Sequence, residues 1–199
     1  MAITRLGGAN AITGIIPVAN GGTGVSSSDS IGNLVKLSTV TVSGSAVSEI
    51  DFDSSIITST YDTYYFTMLM HPTTDNASID VRLSDGGSFN SGGSDYGYGF
   101  VVDDGTGTHT NTASAIQLCD QQDTGDATNF YQGTLTLLNP QNSSVKTNVT
   151  YHGNRNDGNP NLCVGGGQRN TAEANDGIRF LASSGNLDVG TRVVCYGIR

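Results

Sequence analysis

The side chains that could do chemistry in this chain are three histidines, three cysteines and a set of loop carboxylates, and their spacing withholds most of it. His71, His109 and His152 stand far apart, with no HxH or HxxxH pair to bring two imidazoles onto one metal. His109, within Gly105-Thr-Gly-Thr-His-Thr, reads as a solvated loop tip. Cys119, Cys163 and Cys195 form no CxxC pair, and an odd count does not complete a disulfide framework, so they read as buried free thiols. Asp103-Asp104 and the set Asp120, Asp123, Asp126 could offer oxygens to Ca²⁺, but neither has the DxDxDG order, and Asp is a common turn residue. Only two glutamates, Glu49 and Glu173, are present, so a glycosidase pair would have to be built from aspartates. No GxSxG elbow or P-loop occurs, and Gly21-Gly-Thr-Gly24 and Gly165-Gly-Gly167 lack the Lys-Ser/Thr that phosphate cradling needs. No catalytic residue, metal site or cofactor is therefore assigned, and the chain is read as a non-enzyme.

Aromatic side chains leave one binding candidate. In Tyr96-Gly-Tyr-Gly-Phe100, Tyr96, Tyr98 and Phe100 could stack on sugar rings while neighbouring Asp and Asn side chains bond hydroxyls. The competing reading puts these tyrosines on the outer face of an alternating strand or at a subunit interface. Tyr61, Tyr64, Tyr65, Phe130 and Tyr131 read as core or interface.

The elements that must position these groups are strands. Gly makes up 27 of 199 residues, charged residues 14%, and Trp is absent. Polarity comes from Ser, Thr, Asn and Gly, which suit turns and outward strand faces and are poor helix formers. Period-two alternation marks Leu34–Val42, Val47–Phe52, Tyr61–Met70, Ala77–Leu83, Tyr96–Val102, Ser114–Cys119, Phe130–Leu138, Val145–Tyr151, a short Leu162–Gly165, Gly177–Ala182 and Thr191–Ile198. Strands in that number, with Gly/Asn/Asp-rich connections, predict an all-β fold: an antiparallel β-sandwich or jelly-roll-like domain over 34–199.

Residues 1–33 differ in texture. They contain no aromatic residue and seven glycines, and so cannot build a core of their own. An extended, largely irregular segment is expected, with Ile12, Ile15, Ile16, Pro17 and Val18 giving enough apolar surface to be ordered by a partner. The net charge of −9 and the thinly spread basic residues argue against nucleic acid and against an anionic membrane surface. No apolar run is long enough to span a bilayer. Met1-Ala-Ile-Thr-Arg-Leu lacks the order of a signal peptide, so synthesis in a cytoplasm without secretory translocation is expected.

Both ends carry a resemblance. Ala11-Ile-Thr-Gly-Ile-Ile-Pro-Val-Ala-Asn-Gly-Gly-Thr-Gly24 resembles the GxIPxANGGTG element near the start of bacteriophage tail-fibre and related virion proteins. The run from Ile178 to Ile198 is similar to the RFxxSSGNIxSGTxxLYGI terminus of phage fibre-type β-domains, with Leu187-Asp-Val and Val194-Cys as departures. Tyr61-Asp-Thr-Tyr-Tyr-Phe-Thr and Gly133-Thr-Leu-Thr-Leu-Leu-Asn-Pro140 fit the same pattern. Met1-Ala-Ile-Thr-Arg-Leu is similar to the N-termini of short structural proteins of marine and cyanobacterial phages, and the resemblance implies a virion structural protein of that type, made in the host cytoplasm. It implies a homotrimer anchored to other tail or capsid proteins through its N-terminus, with an outward domain for attachment to a host-surface glycan or protein. A capsid decoration or head-fibre protein without a receptor is the alternative, and a carbohydrate-active tailspike a weaker one.

Overall fold

The structure, a computed structural model, describes residues 34–102, 105–122, 129–156 and 160–198. Among these the only regular elements are strands. They are β1 (Leu34–Thr41), β2 (Glu49–Phe52), β3 (Thr63–Met70), β4 (Ala77–Asp85), β5 (Ser88–Phe89), β6 (Tyr96–Val102), β7 (Gly107–Ala113), β8 (Ile116–Gln122), β9 (Tyr131–Leu138), β10 (Lys146–Asn156), β11 (Pro160–Ala172), β12 (Gly177–Ala182) and β13 (Arg192–Ile198). One sheet has eight strands in the order β1-β13-β3-β9-β10-β11-β6-β7. The other runs β2-β12-β4-β5, with β8 also pairing β4. Each of these pairings is antiparallel, and the inner faces share one core. This is the all-β sandwich that the alternation predicts.

Alternation decides which side chains meet. On β3, Tyr64, Phe66, Met68 and Met70 are buried while the residues between them are half-exposed. Phe66 meets Phe52 and Phe180 of the facing sheet at ring-centroid distances of 5.4 and 5.3 Å. Register carries the inner rows across the large sheet: Tyr64, Leu137, Val149, Gly167 and Tyr98 lie side by side, as do Phe66, Leu135, Tyr151, Gly165 and Phe100. A third row holds Met68, Gly133, Gly153, Cys163 and Val102.

The inner-face glycines exist for their neighbours. The Tyr131 ring fills the space that side chains at Gly133 and Gly153 would need: a Cβ at Gly133 would stand 2.8 Å from its hydroxyl, and one at Gly153 would stand 2.7 Å from its Cε2. Gly165 makes room in the same way for Tyr151, and Gly167 for Ile116 of β8. Two strands depart from the sequence expectation, and the inner-face glycines account for the first. β11 runs for 13 residues straight through Gly165-Gly-Gly167, where the sequence suggests only a short strand. β7, Gly107–Ala113, was expected to be loop; it is an edge strand with no buried residue to make an apolar alternation, and His109 sits within it, not at a tip.

Candidate functional site

Tyr96, Tyr98 and Phe100 occupy the inner face of β6, which corrects their reading as outer-face residues and leaves Tyr96 and Phe100 too deeply buried to touch a receptor. Tyr96 is fully buried; its hydroxyl accepts the Leu83 N–H at 2.7 Å and has the carbonyls of Asn90 and Leu83 at 3.1 and 3.2 Å. Burial pushes this phenol up to about 12. Phe100 is buried and stacks on Tyr98, with centroids 6.2 Å apart and planes within 8°. Tyr98 is half-buried and donates to Gln117 Oε1 at 2.8 Å. Because β8 lies beneath this part of the large sheet, the aromatic side of β6 is drawn inward, and the glycines Gly97 and Gly99 are left facing out.

Those glycines make a trough. On the outer face the rows run Asn148–Gln168–Gly97, then Thr150–Gly166–Gly99–His109, then His152–Val164–Val101–Gly107. Gly97, Gly99 and Gly166 expose bare backbone as a floor, while β10 and β7 raise side chains on either side. The polar end is a depression of about 560 Å³ lined by Asn111, Asn148, Thr150 and Gln168. The other end, about 360 Å³, is lined by Val101, Val164, Thr108 and His109, and Val101 and Val164 are about half exposed. None of the side chains at the polar end carries a charge, and each offers hydrogen-bond donor and acceptor atoms. From Gly97 to Val101 the trough is on the order of 13 Å long at about 3.3 Å per residue. His152 and His109 flank it, and Thr134 Oγ1 lies 3.1 Å from His152 Nδ1.

Behind β6, a second depression of about 360 Å³ is lined by Asp80, Tyr98, Thr112, Ser114 and Gln117. Burial holds the Asp80 carboxyl up at about 6, against the opposing effects of a 2.8 Å hydrogen bond from Ser78 Oγ and of the Arg82 charge. Folding therefore favours the protonated acid between its ordinary value of 3.8 and about 6, and stability falls as pH rises through that window. Asp80→Asn, which keeps an acceptor for Ser78, is expected to raise stability by roughly 1–3 kcal/mol at pH 8. The gain should vanish below the ordinary carboxylate range. Urea unfolding at the two pH values measures it, and an equal effect at both would exclude titration as the cause.

Among the described residues no three His, Cys, Asp or Glu side chains gather as a metal site would require. Asp103, Asp104, Asp123 and Asp126 lie outside the described residues, as does the side chain of Asp120. Ile12, Ile15, Ile16, Pro17 and Val18 also lie outside them. Sequence reasoning missed Asn111, Asn148, Thr150 and Gln168; the available signal was polar residues at every second position, as in Asn148/Thr150/His152 and Gln168/Asn170, which marks the outward face of a strand. No protein-family model matches the chain, and no curated protein matches it.

Proposed function

We propose that this chain is a structural, fibre-like protein of a bacteriophage particle. It is held to the virion through residues 1–33, with Ile12, Ile15, Ile16, Pro17 and Val18 as the anchor, and displays its sandwich for attachment to the host surface. The trough on the eight-stranded sheet carries this reading. Its floor is backbone, its polar end is uncharged amide and hydroxyl, and its far end is apolar. That combination suits a neutral glycan, whose vicinal hydroxyls pair with Asn and Gln amides and whose C–H faces rest on Val101 and Val164. A shallow site of this kind binds weakly by itself, and a homotrimer on a particle multiplies it through effective concentration. The chain acts without catalysing a reaction.

Two variants test the reading separately. Asn148→Ala with Gln168→Ala changes exposed or half-exposed outer-face residues and should leave particles assembled while lowering host adsorption at least tenfold. Normal adsorption with the double variant would remove the trough from host contact and favour capsid decoration. Deletion of residues 1–30 should abolish incorporation of the protein into particles, and incorporation at normal copy number would sink the anchor.

A further inference from the structure

Two of the three cysteines meet across the sandwich. Cys119 lies on β8, paired to Ile79 of the small sheet, and Cys163 lies on β11, between Val102 and Gly153 of the large one. Both are fully buried, and their thiols lie within hydrogen-bonding reach of each other. Cys195, on β13, is buried without such a neighbour being needed to explain its pKa, which burial alone raises to about 12. Cys119 stands three residues from the end of β8, and Cys163 three from the start of β11. Strand ends open locally far more often than whole domains unfold, so a small reagent can reach the pair without global unfolding.

We propose that Cys119 and Cys163 are a latent disulfide site, which joins the two sheets covalently when the folded protein meets a small-molecule disulfide such as oxidised glutathione. One cysteine thiolate attacks the reagent's S–S bond and expels one reduced thiol, leaving a mixed disulfide. The second cysteine attacks that protein sulfur and expels the other small thiol. The protein loses two electrons and two protons, and two molecules of reduced thiol carry them away. The hydrogen-bonded Cys163 thiol, and then burial, hold Cys119 well above the ordinary thiol range, so thiolate is scarce at neutral pH and the pair persists in a reducing cytoplasm. The closed loop would span β9 and β10, and the covalent tie would limit the unfolded chain.

The experiment treats full-length protein with oxidised glutathione under native conditions, then reads intact mass, the disulfide-linked peptides and the thermal midpoint. The expected product is lighter by two hydrogens, carries a Cys119–Cys163 peptide, and melts about 5–15 °C higher until a reductant reverses the change. Its rate should rise close to tenfold per pH unit while thiolate remains the minor form. Cys195→Ser should behave the same, whereas Cys163→Ala should form no internal link. A link involving Cys195, stable glutathione adducts on separate cysteines, a lowered midpoint, or no reaction short of denaturation would each overturn the proposal. If Cys163→Ala does not fold, the wild-type and Cys195→Ser results decide it alone.

Discussion

Arg169→Met is expected to lower the stability of the sandwich by about 3 kcal/mol in urea unfolding. Arg169 comes from β11, and its side chain is only 7% exposed. Nη1 bonds the carbonyl of Asp95 at 2.9 Å and its carboxylate at 3.1 Å, and Nε reaches Glu173 Oε1 at 2.6 Å. The guanidinium also lies over the Tyr96 ring, 5.5 Å from its centroid. Methionine keeps most of the stem's volume but leaves two carboxylates facing each other with no cation between them. Because those carboxylates retain 27% and 19% exposure, water softens the loss, and the lower end of the range for a broken buried pair applies. Arg169→Lys should fall between, since an ammonium supplies the charge without the planar fork that meets two partners. Equal stability of the Met and Lys variants would show that charge is not what holds this corner.

Gly153→Ala is expected to cost about 1–3 kcal/mol, near the upper end, although alanine ordinarily favours an ordered chain over glycine. The added methyl has no space to enter, because the Tyr131 ring rests on the bare Cα. Tyr131 is itself wedged between Met70 on one side and the inter-sheet core, so the ring cannot lift without opening the packing. Tyr131→Leu in the same background should recover part of the loss, giving a coupling energy above about 0.5 kcal/mol. Additive effects would mean that ring and glycine do not meet. Tyr131→Phe serves as the control: its buried hydroxyl has no hydrogen-bond partner among the described residues, so removal should be neutral or stabilising.

Much of the fold was legible because alternation is strict where one face is buried. Tyr96–Val102 and Gly177–Ala182 are strands with the bounds that the pattern suggests, and Tyr61–Met70 differs only at its start, where β3 begins at Thr63. The trough was not legible, for a reason seen in Tyr96-Gly-Tyr-Gly-Phe100. Period two separates tyrosines from glycines but does not say which set faces water, and a tyrosine beside a glycine reads readily as an exposed platform. Only the position of β8 under β6 settles it. β7 and the full length of β11 escaped for the converse reason: one is an edge with no buried alternation, and the other spends its inner positions on glycines that aromatic neighbours overlie.

The register of the outermost strand has a mechanical consequence. β1 is the edge of the large sheet, and its first residue, Leu34, pairs with Ile198. Tension transmitted through residues that precede Leu34 therefore enters the domain at a corner. Pulled sideways, β1 peels from β13 one rung at a time, beginning at that corner, and yields at low force. Pulled along its own axis, the same strand loads every rung together and yields only when they shear as a group. The direction in which such a tether leaves the domain thus sets how much drag the sandwich withstands, independently of its thermodynamic stability.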